Sequence, residues 1–458
     1  MPARFRASPA RTAAAMLWLL AGVAAAPAQS VDPLHIPDSQ LEPIQWSDLD
    51  GWAGDDHAAA YAVFRTSCEP FNRQRRLRDA RPVAAALKAV CGRAAKAGAL
   101  TDKTAARDFF EANFQPVRIG KLGETTGLLT GYYEPIVNGS RIPNPEFHTP
   151  LYRRPRDLMV AGQRPGAGAV PNRASIGRLN AKKELEPYHD RLAIEEGALD
   201  GQKLEICWIK DAWEAMTIQI QGSARVKLED GTMLRVNYDA HNGFGYTAVG
   251  RVLIERNLVP RDEMTMDRIR QWMNANPDQA REVRGTNRSY VFFRITGLND
   301  EAEAAGAQGV PLTPGRSIAV DKIHVYGTPF FIEADLPIEG PRPTTKFRRL
   351  MVSQDTGSAI VGPARADLYW GAGDDAGRIA GRIRQQGRFV MLLPRELDLV
   401  EAGKAMPLPP PKPAIPDEAE AKSDAAKAKA EAAKVDAVTK PSRKQARPAA
   451  RIRSRPRL

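Results

Sequence analysis

Apolar residues recur at helical spacing in the first quarter of the chain and alternate with polar residues farther on. Spacings of three and four predict helices over 56–74, 80–99 and 104–114. Short β-rich runs predict strands at 204–209 and 216–221. The alternation on either side of Asp230-Gly231 predicts a hairpin of 224–228 and 233–238, because this dipeptide suits a two-residue turn.

The remaining elements are short and do not alternate regularly. Helices are predicted over 246–257, which ends before Pro260, and over 264–276. Short strands follow at 317–320, 330–333, 347–353 and 389–393. Because strands and helices do not alternate as in a doubly wound parallel sheet, the pattern predicts an α+β fold with β-barrel character in at least two parts.

Both ends of the chain differ from its middle in charge. The chain has 458 residues and a net charge of +12, of which residues 1–28 contribute +3 and residues 405–458 contribute +7. The middle is therefore nearly neutral, which argues against a nucleic-acid surface on it. The composition, 43% apolar and 26% charged, is that of a soluble globular protein.

The first 28 residues have the features of a cleavable export signal. Three arginines precede an apolar run at 13–26, and Ala26-Pro27-Ala28 provides a small-x-small cleavage site. The run is short for a bilayer span, although an uncleaved anchor is the alternative. No cysteine follows the run. Lipid attachment at the new N-terminus is therefore not expected, and we predict a periplasmic protein.

The last 60 residues, 399–458, are predicted to be a disordered tail. This segment contains a Pro-rich stretch, then a region rich in Ala, Lys and Glu, and then a region rich in Arg. Residues 405–458 lack aromatic side chains. Such a segment buries too little apolar surface to offset the entropy of ordering. Its basic end suits contact with an anionic wall polymer or lipid, and a purely solubilising extension is the alternative.

The cysteines and histidines limit the chemistry. Cys68 and Cys91 lie in the first two predicted helices and would close a loop of about 23 residues as a disulfide, although two separate thiols are the alternative. Cys207 is expected to be a core thiol. The six histidines include no pair four residues apart and no Cys-x-x-Cys occurs, so neither a metal nor another cofactor is expected.

Two aspartates stand at the ends of predicted strands near the C-terminal end of the folded body. Asp355 and Asp367 are separated by 12 positions, and Tyr369-Trp370 follows the second. Apolar aromatic surface disfavours the charged form of a carboxylate, so that the group can hold a proton for a leaving oxygen. The alternative is that both are turn or cap residues, the role also predicted for Asp374 before a helix over 375–385.

Hydroxyl and amide side chains form two further candidate clusters. Thr130 is followed by the pair Tyr132-Tyr133, and Gln221-Gly222-Ser223 comes at the predicted end of strand 216–221. These groups suit a polyhydroxylated ligand, and they equally suit strand pairing and a turn.

Four motifs in this order resemble the membrane-bound lytic murein transglycosylase A family of bacterial cell-wall enzymes. The resemblance covers roughly residues 120–395. Its motifs are Thr130-Gly131-Tyr132-Tyr133-Glu134-Pro135, Ile220-Gln221-Gly222-Ser223, the segment 242–250 and the block 355–373. The C-terminal block resembles the 3D domain, whose three aspartates correspond here to Asp321, Asp355 and Asp367.

The resemblance implies a discontinuous double-psi β-barrel facing a smaller inserted β-barrel domain across a groove that holds a glycan strand. The expected segments are a signal peptide at 1–28, helices and the start of the catalytic domain at 29–135, an inserted domain at 136–260, the remaining barrel at 261–398 with the 3D domain at 317–395, and the tail at 399–458.

The resemblance further implies cleavage of the β-1,4 bond between N-acetylmuramic acid and N-acetylglucosamine without water, leaving a 1,6-anhydro end. Asp367 would be the single acid and then base, with Asp321 and Asp355 shaping its environment. The substrate-binding residues would be Thr130, Tyr132, Tyr133, Gln221, Gly222, Ser223 and Tyr246. The partner would be the glycan strands of peptidoglycan, and the chain is expected to act as a monomer. Association with the outer membrane is also possible in this family, although this chain has no cysteine that could accept a lipid.

Two alternatives remain at this stage. An inverting glycosidase would use Asp355 and Asp367 as a pair, one to protonate the leaving oxygen and one to activate water. A wall-binding module would use the same groove without catalysis, although an acid at position 367 argues against it.

Overall fold

The computed structural model describes residue 34 and residues 36–77, 79–161, 175–296, 303–342 and 344–398. The predicted signal peptide at 1–28 and the predicted tail at 399–458 lie outside the described residues. Within them, no helix combines the length and the apolar character needed to cross a membrane.

Helices occupy three parts of the described chain: the N-terminal region, the insert and one turn of the barrel. Two short 3-10 turns, Trp46–Asp48 and Trp52–Gly54, precede the first helix. The helices are α1 His57–Arg73, α2 Pro82–Ala97, α3 Lys103–Asn113, α4 Arg191–Glu195, α5 Ala212–Gln221, α6 Val249–Glu255, α7 Met266–Ala275, α8 Pro277–Thr286 and α9 Gly373–Ala380.

The strands fall into three sheets. They are β1 Ser39–Pro43, β2 Phe114–Lys121, β3 Gly127–Glu134, β4 Ile136–Ser140, β5 Thr149–Tyr152, β6 Met159–Val160, β7 Ile176–Leu179, β8 Leu185–Glu186, β9 Glu205–Ile209, β10 Ser223–Leu228, β11 Met233–His241, β12 Val291–Ile295, β13 Ser317–Val320, β14 Pro329–Leu336, β15 Thr345–Asp355, β16 Arg365–Ala372 and β17 Arg384–Pro394.

The largest sheet closes on itself as a six-stranded barrel. Its order is β1-β2-β17-β14-β15-β13-β16-β3, and an additional pairing of β17 with β3 closes the ring. The strands β2 and β1 continue outward from β17. Alternate residues of the strands fill the interior, where Leu129, Ile318, Val320 and Leu368 belong to one apolar cluster. The α+β prediction with barrel character is therefore confirmed.

The N-terminal helices cover one side of the barrel. Asp56 and Asp102 cap α1 and α3 by accepting hydrogen bonds from backbone N–H groups three residues on. Aromatic side chains of α1 and α3 pack with apolar residues of β14, β15 and β17 in a second cluster. Cys68 in α1 and Cys91 in α2 form a disulfide, the pairing that the sequence left open. Cys207 is a buried free thiol.

The insert is built on a second six-stranded sheet of order β12-β11-β10-β4-β9-β5. An isolated bridge between Arg153, just after β5, and Phe293 in β12 joins the two outer strands of this sheet. Because β12 pairs with β11, the strands of the insert reach Ile295, beyond the predicted boundary at residue 260. A small sheet of β6, β7 and β8 lies within the same part of the chain.

Two local predictions were wrong. The stretch 216–221 is not a strand but the second half of α5, because Asp211 caps this helix by accepting from Glu214 N and Gly222 ends it in a left-handed conformation. These end signals prevail over the β-branched residues between them. The helix predicted over 375–385 is instead Gly373–Ala380, with no side-chain cap from Asp374, because the following residues belong to β17.

Candidate active site

Three neighbouring strands bring Asp355 and Asp367 to one place in the barrel. Ala319 of β13 is in register with Asp355 of the parallel strand β15 and with Asp367 of the antiparallel strand β16. The two aspartates are therefore separated by one strand, which corresponds to about 10 Å between their Cα atoms at the usual strand spacing. Both side chains are half-buried. The sequence pair predicted to carry the chemistry is thus assembled by strand register.

Asp367 is held by a hydroxyl from the neighbouring strand. Thr130 of β3 lies opposite Asp367 in the parallel pair β3–β16, and its Oγ1 donates to Asp367 Oδ1 at 2.6 Å. Arg365 Nη2 donates to the same Thr130 Oγ1 at 2.8 Å. Because the hydroxyl accepts from Arg365, its single hydrogen is directed at Asp367. One carboxylate oxygen of Asp367 is therefore occupied by a donor, and Oδ2 is left to carry a proton.

Burial raises the pKa of Asp367, while the positive charge of Arg365 and the hydrogen bond from Thr130 act in the opposite direction. The guanidinium of Arg365 reaches the carboxylate through the threonine hydroxyl, with no direct ion pair in the described structure. The net rise favours the protonated acid more than in water. A carboxyl group in this setting is suited to general acid and base work.

Asp355 is held by three neutral donors. The Tyr132 hydroxyl donates to Asp355 Oδ2 at 3.0 Å, and the backbone N–H groups of Ala307 and Thr356 donate to Oδ1 at 2.9 and 2.8 Å. Burial raises the pKa of Asp355 to about 6 despite these donors, and repulsion from Asp367 adds to the rise. Burial is the main cause of the raised pKa of both carboxyl groups.

The tyrosine that holds Asp355 packs against a second tyrosine. The ring centroids of Tyr132 and Tyr369 are 5.2 Å apart, and both side chains are buried. The Tyr369 hydroxyl donates to Glu303 Oε2 at 2.6 Å. Burial, reinforced by the nearby charge of Asp355, raises the pKa of Tyr132, so that its hydroxyl remains a donor.

Asp321, the first aspartate of the predicted trio, has a different position. Its Oδ2 accepts from the Gly362 N–H at 2.8 Å and its Oδ1 from the Ile323 N–H at 3.3 Å. None of its hydrogen bonds reaches Asp355 or Asp367. Together with Tyr246 it lines a cleft of about 380 Å³ between the insert and the barrel. Its contacts fix the turn after β13 and the loop before β16.

The residues of the glutamine motif lie where the insert meets the barrel. Gln221, the last residue of α5, accepts with Oε1 from the Tyr133 N–H at 3.1 Å. Gly222 ends the helix with φ of +82°, a conformation that favours glycine. Ser223 begins β10, and it is buried opposite Asn237 of β11. The structure therefore joins the tyrosine motif to the glutamine motif by a direct hydrogen bond.

A carboxylate–arginine network adjoins these motifs. Glu134, fully buried at the end of β3, pairs with Arg225 at 2.7 Å and with Arg235 at 3.0 Å. Arg225 also lies 3.7 Å from Glu303, the acceptor for Tyr369. This network links the insert strands β10 and β11 to the barrel strand β3.

Arg365 and the acidic partners of this network were not among the residues predicted for the site. Arg365 lies two positions before Asp367 on the same strand, so the alternation of side chains places both on one face. This spacing was a usable signal. Glu303 comes from a distant loop, and nothing in its local sequence indicates a contact with Tyr369.

Comparisons with known proteins agree with this architecture. Residues 128–294 match the family model of the MltA specific insert domain, and residues 316–393 match that of the 3D domain. Membrane-bound lytic murein transglycosylase A of Vibrio cholerae is 32% identical over 265 residues, which is 57% of this chain and 64% of that protein. The match thus spans slightly less than two thirds of this curated relative.

Solved structures extend the likeness. The crystal structure of a membrane-bound lytic murein transglycosylase from Agrobacterium tumefaciens superimposes on this chain with a TM-score of 0.69 and 34% sequence identity. The match covers 80% of this chain and 100% of that one. The structure of E. coli MltA with bound chitohexaose is 26% identical with a TM-score of 0.55, over 79% of this chain and 93% of that one. The likeness supports the double-psi barrel with an inserted barrel domain that the motifs implied.

Proposed function

Because the chain belongs to the membrane-bound lytic murein transglycosylase A family, we propose that it is a peptidoglycan lytic transglycosylase. The proposed reaction cleaves the β-1,4 bond between N-acetylmuramic acid and N-acetylglucosamine without water. Its product is a 1,6-anhydromuramic acid end.

One carboxyl group is enough for this reaction. Asp367 gives its Oδ2 proton to the glycosidic oxygen as the bond from the muramic C1 to that oxygen breaks. The C6 hydroxyl of the same sugar then bonds to C1, and its proton passes to the Asp367 carboxylate. An ordinary glycosidase needs a second carboxylate for water or for a covalent intermediate. Here the substrate supplies the nucleophile, and Asp367 ends the cycle protonated.

The contact between Thr130 and Asp367 carries this proposal. It orients the carboxyl group, occupies Oδ1 and leaves Oδ2 for the travelling proton. The raised pKa of Asp367, caused mainly by burial, increases the fraction of acid available to start the reaction.

We assign the neighbouring aspartates two positioning roles. Asp355, held by Tyr132 and one strand away from Asp367, would shape the environment of Asp367 through its charge when ionised. Asp321 would hold the loop around Gly362 that forms one side of the cleft. Neither aspartate needs to touch the reacting atoms.

The glycan strand is proposed to lie between the insert and the barrel. Tyr132, Tyr133, Gln221, Gly222 and Ser223 come together at this junction, and Tyr246 lines the adjoining cleft. The related E. coli protein has been solved with chitohexaose bound, which supports a glycan as the ligand class.

The decisive experiment identifies the new chain ends. Purified murein sacculi are digested with the protein, and the soluble products are analysed by mass spectrometry. Anhydro ends, lighter by one water than reducing ends, are expected. Reducing ends would indicate the inverting glycosidase with Asp355 and Asp367, and binding without soluble products would indicate a wall-binding module.

We further propose that the chain is exported to the periplasm with removal of residues 1–28 and that it acts there as a monomer at the outer membrane or wall. The basic tail would provide electrostatic contact with an anionic wall polymer or lipid. N-terminal sequencing of the periplasmic protein tests the cleavage. A chain beginning with Met1 in the membrane fraction would contradict it.

A further inference from the structure

A second cleft of about 600 Å³ lies in the insert and shares no lining residue with the cleft that contains Asp321. One wall is a face of the antiparallel pair β5–β9. Tyr152 is the cross-strand partner of Glu205, and Pro150 is the partner of Trp208. Because cross-strand partners lie on one face, this wall combines an apolar, aromatic surface with a carboxylate.

The opposite wall contains carboxylates whose charges are already balanced. Glu195 at the end of α4 pairs with Arg284 of α8 at 3.2 Å, and Glu196 pairs with Arg281. These pairs connect α4 to α8 and line the cleft. They leave little negative charge on this side.

Two other carboxylates in the cleft differ from these pairs. Asp200, in the loop after α4, and Glu205 make no side-chain ion pair or hydrogen bond anywhere in the described part of the chain. Both line the cleft. The cleft therefore contains two carboxylates that no cation of the described residues pairs with.

The hydroxyl of Tyr152 is a third polar group in this cleft that makes no hydrogen bond in the described part of the chain. The residue is only 5% exposed and lines the cleft, and its hydroxyl makes no hydrogen bond within the described residues. Burial, together with the charges of Asp200 and Glu205, raises the pKa of Tyr152 to about 12. Both carboxylates thus act electrostatically on the hydroxyl without accepting a hydrogen bond from it.

We propose that this cleft binds a primary ammonium group, with Asp200, Glu205 and the Tyr152 hydroxyl as its three acceptors. A primary ammonium has three N–H donors and no acceptor, which matches this set. The face of Trp208 would pack against the apolar part of the ligand and attract its cation.

Two components of murein could carry this ammonium group. The choice of these probes rests on the proposed function, whereas the ammonium site itself does not. One is the free amine of a diamino acid in a peptide stem. The other is a glucosamine that lacks its acetyl group. Acetylation removes the charge and two of the three N–H donors, so each amine has a matched neutral probe.

Isothermal titration calorimetry on the full chain tests the site. The probes are a tripeptide that ends in diaminopimelic acid and free glucosamine, each compared with its N-acetylated form. Glu205→Gln is expected to weaken binding of the amine at least tenfold. Glu196→Gln, which changes a carboxylate already paired with Arg281, is the matched control and is expected to bind like the wild type.

Asp200→Asn provides a second variant at an exposed position and guards against a folding defect in Glu205→Gln. Binding of the tripeptide or of glucosamine supports the site and identifies the source of the amine. Absence of binding by both, equal binding of the acetylated probes, or equal effects of Glu205→Gln and Glu196→Gln would overturn it. Turnover of peptide-free glycan, measured in parallel, reports on the proposed reaction independently of this result.

Discussion

Two groups of carboxylates differ in their neighbours. One is the barrel pair, Asp355 and Asp367, and the other lies at the junction with the insert and consists of Glu134 and Glu303. Asp355 and Asp367 accept hydrogen bonds from hydroxyl and amide groups. Glu134 contacts two guanidinium groups directly, and Glu303 lies near one of them.

This difference separates two uses of a buried carboxylate. Neutral donors orient Asp355 and Asp367, and Arg365 reaches Asp367 through Thr130 rather than directly. Burial raises the pKa of Glu134 as well, but two guanidinium groups act directly against this rise. These ion pairs make Glu134 a fixed connection between two parts of the chain. The first arrangement suits proton transfer, and the second suits positioning of the insert.

The largest effect is expected from removing the proton carrier. Asp367→Asn keeps the shape of the side chain and its contact with Thr130 but cannot transfer the proton. Turnover of sacculi should fall roughly 10²–10⁴-fold, the usual range for a general acid–base group. Exposed Asp375→Asn is the control and should retain full turnover. Activity of Asp367→Asn within about tenfold of the wild type would contradict the assignment.

The junction is expected to respond through stability. Glu134→Gln removes the fully buried carboxylate that pairs with Arg225 and Arg235. Because a buried ion pair is broken from one side, the free energy of unfolding should fall by about 3–5 kcal/mol. Urea titration followed by circular dichroism measures it. Glu263→Gln, in an exposed pair with Arg268, should cost less than about 1 kcal/mol. Equal losses in both variants would remove the distinction between the two carboxylate groups.

The coupling of the barrel pair is expected to appear as a pH shift. The reaction starts from protonated Asp367, so kcat/KM should fall as pH rises through its pKa. Repulsion is mutual, and Asp355→Asn removes it. The pKa of Asp367 should therefore fall, and the alkaline limb should move to lower pH. An unchanged limb would show that Asp355 does not tune the acid.

The same substitution tests the pKa of Asp355 itself. Its folded-state pKa, about 6, exceeds its usual value of 3.8, so its contribution to stability is present below about pH 4 and is lost as pH rises to about 6. The free energy of unfolding of Asp355→Asn should lack this loss. Urea titrations at pH 4, 5, 6 and 7 compare the two proteins, and parallel pH dependences would contradict the assigned pKa.

The smallest effect on the reaction is expected at Asp321. Its carboxylate accepts only backbone N–H groups of its own turn and of the Gly362 loop. Asp321→Asn should lower the free energy of unfolding by about 1–3 kcal/mol and leave the alkaline limb in place. A shift equal to that of Asp355→Asn would mean that both aspartates tune Asp367.

Motif order predicted the barrel with an inserted domain, whereas local pattern failed where end signals competed with residue preferences. Residues 216–221 are β-branched and apolar in part, yet Asp211 and Gly222 set the ends of a helix. Cys68 and Cys91 were named as a candidate disulfide, and the structure decides against two separate thiols. The contact between Tyr369 and Glu303 needed the structure, because it joins side chains from separate elements. Arg365 was predictable from strand alternation, because it shares a face with Asp367.

Closure of the barrel by β17 has a consequence for the order of folding. The contact between Thr130 and Asp367 spans 237 positions in sequence, and the ring closes only when Arg384–Pro394 has paired with β3 and β14. Contacts between distant positions slow folding because a long loop must close before they form. A chain that emerges from its N-terminus therefore remains an open sheet until its last strand is available. A truncation before residue 384 would leave the edges of β3 and β14 that pair with β17 exposed and prone to aggregation.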